Sequence, residues 1–347
     1  MDSIREIGEN IKNSPFFRGS LAYDEPLAPR TTMRVGGPAA LFVCPADVSS
    51  AAFAASRCRA AGLRLFVLGG GSNLVVDDGG FCGAVLSTGG MRGISVQAGE
   101  ELAPADDGIP FGRRCRATLC CGAGASIASI TEFCEEHGLW GLCSFAGLPG
   151  TAGGAAYMNA RCYGQDISSV ISAVEYVNLP DLPPYLSADV AFEPKMYHND
   201  GVGWDYKRSP FMGTERLISA VQFSLCCLDP DALYGGRAAA ADVREFVRGQ
   251  DRHFVLDRKE KGHFNAPSAG SVFKNDRSFG KPSGMLVDEA GLKGLSVGGA
   301  QVAPWHGNFI INTGGARAAD IRELVRQVQQ AVCSRSGCML EPEIIFV

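Results

Sequence analysis

The sequence predicts a globular protein of two or three domains, with helices and strands mixed along the chain, and it excludes a Rossmann fold. The length, 347 residues, is ample for more than one core. Apolar residues make up 46% and charged residues 20%, a balance that buries well. The third observation is a pair of glycine clusters about eighty residues apart, Gly69-Gly70-Gly71-Ser72-Asn73 and Gly147-Leu148-Pro149-Gly150-Thr151-Ala152-Gly153-Gly154. Glycine lets a backbone reach φ > 0 and approach a ligand closely. Consecutive exposed N–H groups then form an anion site. Two such loops folded together would clamp a diphosphate from both sides.

Each element follows from local pattern. Ile4, Ile7 and Ile11 have helical spacing. Asp47 is placed to cap a helix that ends near Gly62. Leu65 to Leu68 reads as a buried strand feeding the first glycine cluster, and Leu74-Val75-Val76 as another strand. That second strand decides the fold question, because a Rossmann loop opens a helix and needs a third glycine where Leu74 stands. No Walker A sequence is present either.

Residues 84–120 alternate turns with short apolar runs and read as strands. Ser126 caps a helix through Ile127, Ile130, Phe133 and Cys134 that stops at Gly138. Val170 to Leu179 and Leu217 to Leu228 read as strands, with an irregular polar stretch over 180–205 between them. The composition shifts after Asp229-Pro230, which marks a domain boundary. Val243 to His253 is helical, and Ile321, Leu324, Val325, Val328 and Val332 mark an amphipathic helix. Leu340 to Val347 closes the chain as a strand, with Glu341 and Glu343 two apart on it and Pro342 between them.

Charge and cysteine content narrow the function. A net charge of −5 argues against a general nucleic-acid binder. The start is too charged for a secretory signal, and no uncharged run is long enough to span a membrane. The expectation is a cytoplasmic protein. The 13 cysteines include no C-x-x-C pair and read as reduced, small buried apolar residues. No metal site is expected from their spacing. Residues 251–281 hold seven basic and four acidic side chains, either a solvated face or a site for an anionic substrate. In Pro267-Ser268-Ala269-Gly270-Ser271-Val272-Phe273-Lys274-Asn275 two hydroxyls, a lysine and an amide surround one glycine. With no nucleophile elbow, Ser271 reads as a proton donor rather than a nucleophile.

Taken together these segments resemble the UDP-N-acetylenolpyruvoylglucosamine reductase family. The likeness runs over roughly residues 30–347. It rests on Thr32-Met33-Arg34-Val35-Gly36-Gly37-Pro38-Ala39, the two glycine clusters, Met158-Asn159-Ala160 and the run Ser268 to Asn275. Gly299-Ala300-Gln301-Val302, Asn308-Phe309-Ile310-Ile311-Asn312 and Leu340-Glu341-Pro342-Glu343 complete it. The order and spacing are similar to the branch without an extra tyrosine loop.

The resemblance implies an α+β fold of three domains: an FAD cradle of the vanillyl-alcohol-oxidase/PCMH type in two parts, 1–84 with 336–347 and 85–228, and an α+β substrate domain over 229–335. It implies non-covalent FAD held by Gly69, Gly70, Gly71, Ser72, Asn73, Gly147, Pro149, Gly150, Thr151, Gly153, Gly154 and Asn159. It implies NADPH as reductant and UDP-N-acetylglucosamine enolpyruvate as substrate. By the family pattern Ser271 is the proton donor and Glu343 the catalytic glutamate. Arg208, Lys261, Asn275 and Gln301 fall at substrate-binding positions. Neither a nucleic acid nor a membrane is implied as partner, and a monomer is expected. A flavin oxidase and a non-catalytic flavin-binding paralogue are the alternative functions.

Three segments depart from the pattern. Tyr206-Lys207-Arg208-Ser209-Pro210-Phe211 has lysine where the family has the arginine that holds the enolate. Lys207 keeps the charge without the two-pronged geometry. Arg208, next along an extended strand, would point elsewhere. Lys261-Gly262-His263 lacks the usual proline, and Ala303-Pro304-Trp305-His306-Gly307 drifts from the usual polar sequence.

Overall fold

The computed structural model describes residues 2–103, 108–184 and 192–347, so residues 185–191 of the irregular stretch expected over 180–205 lie outside the described residues. Helices and antiparallel strands are mixed along the chain, as an α+β fold requires. The chain divides into two compact units. One comprises Met1–Leu21, Val43–Gly70 and Leu86–Leu256; the other comprises Ala22–Phe42, Gly71–Val85 and Asp257–Val347. The division cuts the first glycine cluster between Gly70 and Gly71.

In the first unit, strand Arg216–Cys227 is central to an antiparallel sheet ordered Lys195–His198, Ile171–Asn178, Arg216–Cys227, Arg114–Gly122, Ile94–Leu102. Every second residue of the central strand from Leu217 to Cys227 is buried, the period of a strand with one face on the core. Fully burying each Leu or Phe there contributes about 1.5–3 kcal/mol. Its register runs from Ala220 opposite Gly122 to Cys227 opposite Cys115.

The expected caps are present. Asp47 accepts the Ser50 N–H at 2.8 Å and starts helix Val48–Ala60. Ser126 accepts the Ser129 N–H at 3.0 Å, and Gly138 ends helix Ile127–His137 at φ 64°. The helix expected over 243–253 extends to Ala241–Glu260. It sets Val243 and Val247 into a cluster with Cys143, Leu228 and Ala239.

Several elements were not read from the sequence, among them strands Gly19–Pro26 and Pro38–Pro45, helix Ser283–Glu289 and the four short strands of the second unit; for two more the reason is plain. Helix Ala152–Tyr157 begins within the second glycine cluster, where glycine and alanine carry no amphipathic signal. Strand Lys195–His198 is an outer, polar strand.

The second unit is built on strands Ser268–Ser271, Phe309–Asn312, Ala300–Val302 and Ser296–Val297, antiparallel in that order. Helix Ala318–Ser336 covers them, burying Ile321, Leu324, Val325, Val328 and Val332 with Val272, Phe273, Ala300 and Val302. Its first N–H groups are capped from far away in sequence. The Asp78 carboxylate accepts from Ala318 at 2.8 Å and from Ala319 at 3.1 Å.

The closing strand is shorter than expected. Only Ile345–Phe346 is strand, pairing in parallel with Leu74–Val75. Pro342 has no N–H to give a ladder and makes one isolated bridge with Phe273. Among the described residues no helix is long and apolar enough to cross a membrane.

Seven of the cysteines are buried, in keeping with their reading as small apolar residues. Burial pushes the thiols of Cys58 and Cys121 up to about 12. One buried acid stands out. Asp251 is 4% exposed, and among the described residues neither carboxylate oxygen meets a donor in hydrogen-bonding geometry. Burial pushes its carboxyl up to about 7, against the pull of the Cys143 thiol and with the Glu135 charge adding to the rise.

A folded-state value above the unfolded one means that the fold favours the protonated acid. The contribution of this one group to stability is therefore full below about pH 4 and is lost as pH rises towards 7. Asp251→Asn, neutral throughout, is expected to raise Tm at pH 8, by about 2–4 °C for each kcal/mol recovered, and to change it little at pH 4. Thermal unfolding of both proteins across that range checks this.

Candidate active site

Gly69 and Gly70 of the first glycine cluster meet the second cluster within the first unit. Strand Leu65–Leu68 delivers Gly69 and Gly70 against the loop that opens helix Ala152–Tyr157. A Cβ on Gly70 would lie 2.7 Å from the Gly150 Cα and 3.0 Å from its carbonyl carbon. A Cβ on Gly69 would lie 3.1 Å from the Thr151 hydroxyl. Gly153 is needed for another reason, since a Cβ there would sit 2.8 Å from the Ala123 Cβ.

The N–H groups of the second loop divide into two sets. Those of Ala152 and Gly153 donate to the carbonyls of Ala125 and Ala123, and that of Gly154 to the Thr151 hydroxyl. They are spent within the protein. Among the described residues the N–H groups of Gly70, Gly150 and Thr151 meet no protein acceptor. Unpartnered donors on two closely packed glycine loops are what a bound diphosphate satisfies. The donor set therefore fits the phosphates of a dinucleotide cofactor such as FAD. Gly147 takes φ 76° and Gly150 φ 130°, and Pro149 is exposed between them.

Asn159 differs from the expectation. It is 1% exposed, at φ 41°, and its side chain is committed to protein backbone. It donates to the Asp205 carbonyl at 2.8 Å and accepts from the Ser168 N–H at 3.2 Å. The segment it holds is a tight turn, not the extended strand expected. Arg208 N–H donates to the Asp205 carbonyl at 3.0 Å and Asp205 N–H to the Arg208 carbonyl at 3.1 Å. Lys207, at φ 55°, is half-buried, whereas Tyr206 and Arg208 are exposed. The turn is anchored behind by Ser209, whose hydroxyl donates to the Tyr157 carbonyl at 2.6 Å. Phe211, fully buried, packs among Tyr176, Tyr197 and Trp204.

The second unit assembles the rest. Ser271 ends its strand opposite Phe309, one residue after Gly270 at φ 75°. Chain on both sides pins the segment that follows. The Val272 N–H donates to the Asn308 carbonyl at 2.9 Å, and the Asn308 amide makes paired bonds with the N–H and carbonyl of Phe273. From the other side the Glu343 N–H donates to the Val272 carbonyl at 2.7 Å. Ser271 and Glu343 are thus brought to neighbouring positions on adjacent backbones. Asn73 belongs to the same constellation, its amide donating to the Glu343 carbonyl at 3.1 Å.

The two glutamates have different surroundings. Glu341 is exposed and pairs with Lys274 at 2.5 Å, while Glu343 is half-buried. Gly71 is structural, because a Cβ would lie 2.1 Å from the Arg30 carbonyl oxygen. The Ser72 N–H, like those of Gly70 and Gly150, has no acceptor among the described residues.

The remaining expected substrate positions also have protein partners. Asn275 accepts the Ser283 N–H at 2.8 Å. Gln301 donates to the Ser296 hydroxyl at 3.0 Å and to the Gly294 carbonyl at 3.3 Å. Lys261 pairs with Asp257 at 2.7 Å.

Two of the departures prove to be one. A Cβ on Gly262 would lie 2.5 Å from the Trp305 ring, the His263 ring stacks 5.0 Å from Phe309, and His306 lies 4.4 Å from the same Phe309. The loop carrying Lys261 is held by aromatic packing where a proline is usual. Burial pushes the His263 imidazole down to about 4, with His306 adding to the fall, so it is neutral at pH 7.

Reasoning from sequence assigned no role to Asp205, and it quoted Asn308 and Ser209 only as members of longer segments. What each holds is a group distant in sequence, which no local pattern shows.

Comparison with known proteins agrees with this geometry. Residues 39–181 match the model of an FAD binding domain, and residues 262–347 match the C-terminal domain of UDP-N-acetylenolpyruvoylglucosamine reductase. The UDP-N-acetylenolpyruvoylglucosamine reductase of Treponema denticola is 37% identical over 346 residues, covering 97% of this chain and 96% of that protein. That of Treponema pallidum is 38% identical, covering 92% of each. The crystal structure of the reductase (MurB) from Thermus caldophilus superposes with a TM-score of 0.67 at 28% identity, covering 95% of this chain and 99% of that one.

Forcing a methyl group between the glycine loops costs about 1–3 kcal/mol, or roughly 5- to 150-fold in affinity. Gly70→Ala is therefore expected to weaken FAD binding by at least about fivefold in a titration of the apoprotein. Gly249→Ala, with open space around it, should leave binding unchanged.

Proposed function

This chain belongs to the UDP-N-acetylenolpyruvoylglucosamine reductase family, and on that premise we propose how its own residues divide the work. It is an FAD-dependent oxidoreductase that uses NADPH to reduce UDP-N-acetylglucosamine enolpyruvate to UDP-N-acetylmuramate, a peptidoglycan precursor. The observation that carries the assignment of roles is the backbone pairing that sets Glu343 beside the Ser271 segment.

Gly69, Gly70, Gly150 and Thr151 hold the cofactor diphosphate through main-chain donors, joined by Ser72. Gly71, Gly153 and Gly154 shape these loops without donating to it, and Asn73 supports Glu343. When bound, FAD carries hydride from NADPH to the terminal carbon of the enolpyruvyl double bond. Negative charge is then shared between the adjacent carbon and its carboxylate. Ser271 Oγ gives that carbon its proton and regains one from solvent. A serine hydroxyl is a weak acid, but an enolic carbanion is a strong enough base to take its proton. Glu343 and the Lys207 cation hold the enol form in place.

Lys207 is favoured over Arg208 for this task because it is half-buried at the centre of its turn while Arg208 faces out. Lys261, Arg208, Asn275 and Gln301 are assigned to the nucleotide-sugar substrate. The three functional domains are proposed as 1–84 with 336–347, 85–228 and 229–335. A cytoplasmic monomer is part of the same reading.

The purified protein should be yellow and should consume NADPH only when the enolpyruvyl nucleotide is present. NADPH consumption driven by oxygen alone would indicate an oxidase, and no turnover at all a non-catalytic paralogue. Ser271→Ala is expected to leave flavin bleaching by NADPH within about twofold and to slow product formation by about 10²–10⁴-fold. Stopped-flow measurement of the two half-reactions decides it. Equal slowing of both would remove Ser271 from the donor role.

A further inference from the structure

We propose that Asn159 is a positioning residue for the Lys207 charge, linking the second glycine loop to the turn that carries this lysine. The inference rests on the role assigned to Lys207 above. Helix Ala152–Tyr157 starts at Thr151, whose hydroxyl faces Gly69 and whose N–H meets no acceptor among the described residues. Two residues beyond its other end stands Asn159.

Its amide donates to the Asp205 carbonyl, the same oxygen that closes the turn by accepting from Arg208. The Asp205 carboxylate accepts the Tyr206 N–H at 2.7 Å, and Ser209 returns the chain to the Tyr157 carbonyl. The turn is thereby tied at both ends to the three residues 157–159. At its centre Lys207 adopts a left-handed backbone, φ 55°, a conformation that a lysine keeps only where its surroundings impose it.

This anchoring matters more for a lysine than for an arginine. A guanidinium orients itself by two-pronged bonding, whereas an ammonium on a four-carbon stem is placed by its backbone. The left-handed φ of 41° at Asn159 also suits an asparagine, which tolerates that region better than most side chains. Both its hydrogen-bonding functions are used, one on each side. The amide identity is thus required for the turn and not only for its own backbone.

Asn159→Asp tests this. It keeps the shape, the backbone tolerance and the acceptor for Ser168, and replaces the donor to Asp205 by an oxygen. In the FAD-loaded enzyme, flavin bleaching by NADPH should stay within about twofold of wild type. Reoxidation by the enolpyruvyl nucleotide should slow about tenfold or more, with kcat falling more than KM rises. Lys207→Ala should slow the same half-reaction. The double variant should be no slower than Lys207→Ala alone, because the two act through one charge.

Multiplying losses in the double variant, or equal slowing of both half-reactions by Asn159→Asp, would overturn the inference. If Lys207→Ala is slow while Asn159→Asp is normal, the positioning role fails and the role of Lys207 stands. If Lys207→Ala itself reoxidises normally, the reading of Lys207 fails and this inference with it. Should Asn159→Asp not retain FAD, Asn159→Gly, which keeps the backbone freedom, takes its place. Loss of FAD from both variants would show a general structural role and also overturn the proposal.

Discussion

At Gly70 and Gly150 two backbones approach so closely that no side-chain carbon fits between them. Much of the first unit is arranged around that contact. Strand Leu65–Leu68 ends there, helix Ala152–Tyr157 begins there, and there lie N–H groups of both loops that meet no acceptor among the described residues. Leaving polar donors without a protein acceptor carries a desolvation cost, which a diphosphate offsets with charge-assisted bonds. The glycines also give up more chain entropy on folding than other residues do. Affinity for the cofactor and the stability of this region are therefore two aspects of one interaction.

The second unit depends on a different tie, the return of the C-terminus. Ile345–Phe346 pairs with Leu74–Val75, directly after the first glycine cluster, and Glu343 is bonded by its backbone to Asn73 and to Val272. The acid proposed for the reaction centre is thus carried on a segment held from two sides, with Pro342 preventing a regular ladder. The neighbouring Glu341 is turned to Lys274 and solvent. Two glutamates two residues apart in sequence acquire different surroundings because the strand between them is broken.

The departures from the family pattern follow the same logic of compensation. Where proline is absent after Lys261, Trp305 and His306 pack over Gly262 and His263, so two unusual segments hold each other. At position 207 the loss of a guanidinium is met by a turn whose backbone is fixed by Asn159 and Ser209. In both places the geometry of a charged side chain rests on neutral neighbours.

Asp47, Ser126 and Gly138 showed where helices begin and end, and the alternation from Leu217 onward showed a strand, because caps and periodicity act over a few residues. The two glycine clusters were legible for a related reason, since close backbone approach needs that residue type in a short run; the roles proposed for Ser271 and Glu343 rest on the family pattern. The helix that begins within the second cluster was not legible, since glycine and alanine carry no pattern there. The sequence also could not show that Asn159 and Asn275 are occupied by backbone partners, that Lys207 sits in a left-handed turn, or that Asp78 caps a helix beginning 240 residues later. These outcomes depend on which distant segments meet. Local sequence determined where many helices and strands lie, whereas long-range backbone hydrogen bonds decided which polar groups serve the protein itself and which meet no protein acceptor among the described residues.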